Sequence, residues 1–215
     1  MIRVQTDSGV GDLIFLAVAL VLVVLSVRAI YLAIRRRPFA RTLAVGGTVL
    51  CGYAAVLVVS GLLTPQTLLP PGAAKCSDEW CVSVNGAKSH SPIAGYTTQG
   101  RLVAIAVRVF SEARGRSQRG SNPAIYVLDE DGRRYLPSPV AQAALDQSLG
   151  PQPPLTKRVG AGESFLTEIA FDLPVSIRRL RVNVAEQPWI TRIVLFNDNS
   201  LFAGGTFFDL DISVR

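Results

Sequence analysis

The chain has a single histidine, His90, and only three cysteines among its 215 residues. Tetrahedral zinc sites need four ligands, and Cys76 and Cys81 lack two further partners, so no metal is expected. A phosphate-binding glycine loop, a dinucleotide fingerprint, an HExxH helix and a nucleophile elbow are all missing. The expectation is therefore a non-catalytic chain without a cofactor. A hydrolase keeps one histidine-dependent form, built on His90 in the polar stretch Lys88-Ser89-His90-Ser91-Pro92. Charged residues are also sparse, at 18%, and the scarcity is greatest near the N-terminus.

What fills that region is apolar sequence. Two runs, about residues 13–34 and 43–63, flank the link Arg35-Arg36-Arg37-Pro38-Phe39-Ala40-Arg41. Each run is long enough to cross a hydrocarbon layer of ~30 Å as a helix, and inside lipid the backbone must satisfy itself. Residues 1–71 are thus expected to form a two-helix transmembrane hairpin with a short linker, multi-pass in the cytoplasmic (inner) membrane, with the lipid bilayer as its partner. The Arg35, Arg36, Arg37 and Arg41 cluster marks the cytoplasmic side. The N-terminal flank, by contrast, sets Arg3 against Asp7 and Asp12. Both termini should then lie outside, periplasmic or extracellular. A cleaved signal peptide wants a cationic leader and a small-residue cleavage site; here the leader carries two aspartates and the run ends in arginines. Lys75 beside Cys76 argues against a lipidated cysteine.

The net charge of +6 looks at first like a footprint for nucleic acid. Six of the 22 Lys/Arg and two of the 16 Asp/Glu fall within residues 1–71, giving +4 there and leaving +2 for the rest. Most of the basicity serves orientation, and no nucleic-acid partner is expected. Arg28 stands two turns before Arg35, where its stem can snorkel toward headgroups or pair with a partner protein. Gly47, Cys51 and Ala55 form a small-residue stripe of the kind that lets helices approach closely; it is expected to face the first helix, with a helix of another membrane protein as the alternative.

Residues 64–75, with three prolines, read as a semi-extended spacer, and 72–215 as one extracytoplasmic domain. Its signal is period-two alternation. Val103, Ile105, Val107 and Val109 share one strand face opposite Leu102, Ala104, Ala106 and Arg108. Residues 124–128 and 133–136 flank Asp129-Glu130-Asp131-Gly132, a hairpin turn with glycine at a positive-φ position; those carboxylates are read as turn residues, since EF-hand spacing is absent. Phe165, Ile169 and Phe171 mark another strand, and 179–185, 190–196 and 207–214 three more. Only 139–149 reads as a helix, starting near Ser138. Seven or eight short strands point to a β-sandwich.

The series Asp131-Gly132-Arg133-Arg134-Tyr135, Gly160-Ala161-Gly162-Glu163 and Ile169-Ala170-Phe171-Asp172-Leu173-Pro174 resembles the telokin-like, immunoglobulin-fold domains of bacterial secreted or membrane-anchored proteins of unknown function. That family pairs a D-G-x-x-Y hairpin with a P-G-E-like turn and a strand ending F-D-x-P; Ala161 stands here where proline is common. The resemblance spans roughly residues 80–215. It implies an immunoglobulin-like sandwich and an extracytoplasmic role, and brings no catalytic residues.

On an exported domain Cys76 and Cys81 are expected to form a disulfide. Trp80 and Trp189 read as packing aromatics, and Cys51 as a small residue in the second membrane helix. The candidate interaction residues are Arg28, the loop cations Arg114, Arg116 and Arg119, and the loop residues Asn197, Asp198 and Asn199, because binding concentrates in loops carried by rigid scaffolds. The function expected is a non-catalytic binding or structural module of the cell envelope, or else an assembly subunit whose hairpin pairs with a membrane or envelope protein.

Overall fold

The computed structural model describes residues 3–5, 9–90, 100–186, 192–195, 200 and 202–212. These fall into two compact units.

One unit holds the two long helices, α1 (Gly9–Ile34) and α2 (Ala40–Leu63). At 1.5 Å per residue they measure about 39 and 36 Å, and both are long and apolar enough to cross a membrane. Apart from Ala19, the less exposed positions of α1 are Gly11, Phe15, Val18, Leu22, Leu25, Ala29 and Leu32, at alternating steps of four and three. That is the period of an antiparallel seam in which side chains interdigitate. Across it lie Thr42, Gly46, Val49, Tyr53, Leu57 and Gly61. Phe15 and Tyr53 pack with ring centroids 6.5 Å apart. Remaining side chains, such as Leu13, Leu20, Val24 and Leu50, are exposed.

The turn between the helices is closed by backbone bonds from Arg36 N to Ala33 O (3.0 Å) and Arg37 N to Leu32 O (2.9 Å). Arg36 takes φ +52°, the left-handed cap more often filled by glycine. Hydroxyls inside the apolar runs bond back along their own helix, Ser26 to Leu22 O and Thr48 to Ala44 O. Both hydroxyls are satisfied by that route.

The other unit is a β-sandwich of two five-stranded sheets. The first contains β1 (Arg3–Gln5), β3 (Ala74–Ser77), β4 (Trp80–His90), β5 (Arg101–Ser111) and β8 (Ser164–Leu173), in the order β1-β3-β4-β5-β8. The second contains β2 (Thr67–Leu69), β6 (Pro123–Leu128), β7 (Arg134–Tyr135), β9 (Arg179–Glu186) and β10 (Thr206–Asp211), in the order β2-β10-β9-β6-β7. The β1–β3 and β2–β10 pairs are parallel and all others antiparallel. The core between the sheets takes the expected alternating faces: Val82, Val103, Ile105, Val107, Val109, Phe171, Leu180, Val182, Val184, Phe208 and Leu210 are all buried in it.

The opposite face of the first sheet buries Leu102, Ala104 and Ala170 under Ala141 and Leu145 of α3 (Pro139–Leu149). Ser138 caps this helix as expected, its Oγ accepting from Ala141 N at 3.2 Å. Gln142 then completes the edge of β8: its Oε1 accepts from Ala170 N (2.9 Å) and its Nε2 donates to Glu168 O (3.2 Å). Gln152 Oε1 accepts from Glu168 N (3.1 Å) and Ser138 N donates to Ala170 O (3.0 Å). A strand edge otherwise open to pairing is closed by side chains and a helix cap.

Several expectations change. Residues 67–69 and 74–75, read as spacer, belong to the strands Thr67–Leu69 and Ala74–Ser77, because Leu69 and Ala74 have a core to enter. Residues 3–5, read as a flank of the hairpin, pair with 74–76. The strand expected at 190–196 is absent at its described residues: 192–195 form a short helical turn within the helical unit. Its apolar run is explained by Val194 and Leu195 being buried there, not by a sheet. His90, in the polar stretch 88–92, ends β4 opposite Leu102.

Candidate functional site

The candidate places are the disulfide corner, the arginine loop, the acidic turn after β6, the outward face of the helical hairpin and the 192–195 segment seated on it. At the corner, Cys76 and Cys81 face one another on neighbouring strands, Cα atoms 4.1 Å apart, and form a disulfide. Both are fully buried, against Ala74 and Phe110. Glu112 lies beside the two sulfurs, but oxidised sulfur offers no thiolate to a metal. Trp80 sits in the core, and Gly120 packs so closely that a Cβ there would lie 3.0 Å from the indole. The packing role expected of Trp80 holds; Trp189 lies outside the described residues.

The loop bearing Arg114, Arg116 and Arg119 leaves all three exposed, yet it is anchored. Arg116 Nη2 bridges to Glu79 Oε2 at 3.0 Å, and Gln118 Nε2 donates to the same oxygen at 2.6 Å. Gln118 and Val159 exchange backbone bonds of 2.8 Å in each direction. One of the three cations is therefore neutralised locally, leaving Arg114 and Arg119 as the loop's free-facing charges. At the loop's far end Ser121 N donates to Glu186 Oε1. Burial pushes the Glu186 carboxyl above the usual carboxylate range, against the lowering effect of that bond.

The acidic turn after β6 borders a depression of about 240 Å³ lined by Asp129, Glu130, Asp131, Arg133, Tyr135 and Ser176. Asp129 is buried, and both its carboxylate oxygens are engaged: Oδ1 accepts from Arg133 N (2.8 Å) and Oδ2 from the Tyr135 hydroxyl (3.1 Å). Arg181 Nη2 holds its carbonyl at 3.0 Å. Gly132 adopts φ +80°, so the turn reading of these residues is the one the geometry supports. Partial burial and the Asp129 bond raise the Tyr135 hydroxyl pKa.

On the hairpin, Arg28 is exposed one position off the seam residue Ala29. Gly47, Cys51 and Ala55 are exposed as well, which corrects the expectation that this stripe packs on α1. The glycine that does so is Gly46, where a Cβ would meet Leu25 at 3.9 Å, whereas a Cβ on Gly47 would meet nothing within 4 Å. Two adjacent glycines made the faces hard to tell apart from sequence. A groove beside the stripe is lined by Ala55, Val56, Val59, Ser60, Leu63 and Thr64.

The second loop expectation, Asn197, Asp198 and Asn199, lies outside the described residues. Its neighbours Ile193 and Leu195, expected in a strand, instead meet the two helices, and Gly204 meets the end of the second. Tyr53 donates its hydroxyl to Ile193 O at 2.5 Å, and Gly204 N donates to Thr64 O at 3.2 Å. Gly11 meets Leu195 so closely that a Cβ would fall 1.9 Å from its carbonyl oxygen. Tyr53, the tyrosine of the second apolar run, and Gly11, just before the first, were the available signals.

The fold thus defines a β-sandwich protein carrying two apolar helices, each long enough to cross a membrane. No family model matches the chain, and no curated protein matches it. Among solved structures it is similar to MPT63, a secreted protein from Mycobacterium tuberculosis, at 19% identity over 58% of this chain and 98% of that one, with a TM-score of 0.40. It is also similar to an uncharacterised β-sandwich protein from Clostridium difficile, at 12% identity over 70% and 96% of the two chains, with a TM-score of 0.42. The yjhA protein from Bacillus subtilis aligns at 12% identity over 67% and 98%, with a TM-score of 0.40. The sandwich assignment stands on the two hydrogen-bonded sheets and their shared core.

Proposed function

We propose that the chain is a non-catalytic, membrane-anchored binding or structural module of the bacterial cell envelope: an immunoglobulin-like, telokin-like sandwich held outside the cytoplasmic membrane by a multi-pass helical hairpin. The observation that carries this reading is the parallel pairing of Arg3–Gln5 with Ala74–Cys76. The two strands are separated in sequence by both apolar helices, and sharing a sheet requires an even number of crossings between them. The arginine turn supplies the cytoplasmic end of those crossings. The disulfide fits an oxidising compartment. The sandwich loops, including the face of Arg114 and Arg119, are then its outward contact surfaces.

A second reading is favoured by the outward position of Gly47, Cys51 and Ala55. On it, the protein is an assembly subunit whose α2 packs against another membrane protein, with Arg28 as a further contact. Exchanging the hairpin for an unrelated two-helix anchor separates the two. Partners captured from detergent extracts by the native chain and retained by the exchanged chain bind the sandwich. Partners lost on exchange bind the helices. A cysteine reporter at the N-terminus that reacts only from the cytoplasmic side would overturn both.

A further inference from the structure

We propose that Arg192–Leu195, part of the connection between β9 and β10, is a second membrane-contacting element: a strap seated in the outer leaflet against the hairpin, with Arg192 directed to lipid phosphate. The proposal rests on the reading that α1 and α2 span the bilayer. Four observations lead to it, and all lie within the helical unit.

The first is where the strap touches. Tyr53 stands ten residues before the end of α2, about 15 Å along the axis. In a helix crossing ~30 Å of hydrocarbon, its hydroxyl falls within the outer leaflet. Gly11, the contact on α1, is in the first turn of that helix. The strap therefore meets α1 at its end and α2 about 15 Å below its end, both on the side away from the arginine turn.

The second is the hydrogen bond itself. Non-helical backbone survives at membrane depth only where protein groups satisfy it. The Tyr53 hydroxyl does this for the Ile193 carbonyl at 2.5 Å. This gives a reason for a hydroxyl in the middle of an apolar helix, where its own ring is packed on Phe15.

The third is steric. Gly11 can meet Leu195 only because it lacks a side chain, so the α1 surface is cut to receive backbone. Val194 and Leu195 are 3% and 2% exposed, which leaves the strap without a loose, solvated character. The fourth is composition. The sequence Ile190-Thr191-Arg192-Ile193-Val194-Leu195-Phe196 is apolar but for Thr191 and Arg192, and Arg192 is exposed. A cation on an apolar segment at the interface is drawn to anionic headgroups.

The test uses the full chain with Cys51→Ala, reconstituted in phosphatidylcholine–phosphatidylglycerol vesicles, and a single environment-sensitive fluorophore on Ile193→Cys. Reference labels sit on Leu20→Cys in α1 and Ser176→Cys in the sandwich. Spin-labelled acyl chains are expected to quench the 193 and 20 labels, and aqueous iodide only the 176 label. A 193 label quenched by iodide, with the 20 label still lipid-quenched, overturns the strap and leaves the hairpin reading standing. A 20 label quenched by iodide overturns both. A label-free measurement guards against disturbance of the seat: trypsin cleavage after Arg192 should be slow in vesicles. Tyr53→Phe and Gly11→Leu should each speed it about tenfold by favouring local opening. Unchanged rates in both variants overturn the proposal.

Discussion

Gln142 of α3 takes the place of a neighbouring strand for Ala170, accepting its backbone N–H at 2.9 Å while the same amide donates to Glu168 O at 3.2 Å. One side chain thus fills two ladder positions on an edge strand. Replacing it with leucine leaves a donor and an acceptor at a part-buried edge, at a cost of about 1 to 2 kcal/mol. Urea unfolding of the intact protein in detergent should record that loss, and sedimentation should detect added self-association through the freed β8 edge. An unchanged midpoint would mean that water replaces the amide without cost.

The disulfide closes a very short loop between β3 and β4. Cys76→Ser with Cys81→Ser is expected to destabilise the sandwich by about 2 kcal/mol through the unfolded chain's regained freedom. Under denaturing, non-reducing conditions one thiol, Cys51, should alkylate, and all three after reduction. Two or more modified cysteines before reduction would contradict the pairing.

Glu186 titrates above the ordinary carboxylate value of 4.5 because burial disfavours its charge. A carboxyl whose folded pKa is raised binds more protons folded than unfolded across the interval between the two values. Its contribution to stability therefore falls as pH rises through that interval and stays lost at neutral pH. Glu186→Gln, which keeps an acceptor for Ser121 N, should melt higher than wild type at pH 7 and converge with it near pH 4. A gap that widens on acidification would have the wrong sign.

Neighbouring glycines on α2 offer a sharp contrast. Gly46→Leu must displace Leu25 within the seam and should lower the thermal midpoint of the hairpin. Gly47→Leu projects into open space and should leave that midpoint unchanged. If the outward stripe meets a partner helix, Gly47→Leu instead reduces partner capture from membranes. Loss of hairpin stability in Gly47→Leu alone would reverse the facing of α2.

A methyl group at Gly100 would lie 2.2 Å from the Leu173 carbonyl oxygen. Gly100→Ala forces the backbone at the start of β5 away from the end of β8, and overpacking of this kind costs about 1 to 3 kcal/mol. Thermal melting of the intact protein checks it, and a neutral result would mean that the approach of the two strands relaxes freely.

Much of this architecture could be read from residue patterns. The apolar runs gave both helices to within a few residues, and alternation in Val103–Val109 separated the core face from the face under α3. Gly132 and Ser138 fixed a turn and a cap through local chemistry alone. What escaped was non-local. Leu69 and Ala74 are ordinary residues near prolines until a sheet is there to receive them, so short parallel strands left no period to detect. The apolar run ending in Ile193, Val194 and Leu195 has the composition of a strand, and only Gly11 and Tyr53, more than a hundred residues away, make it something else. The anchoring of the arginine loop likewise depends on Glu79, which sits in a different turn.

Pairing of β1 with β3 also bears on biosynthesis. In the proposed topology β1 is made before both helices and gains its neighbour only after them, because Ala74–Cys76 emerges once the helices have been inserted. A chain threaded the wrong way round would strand Arg3–Gln5 across the bilayer from that neighbour. The edge of β3 would then remain bare, and correct insertion would be legible to envelope proteases as a finished sheet.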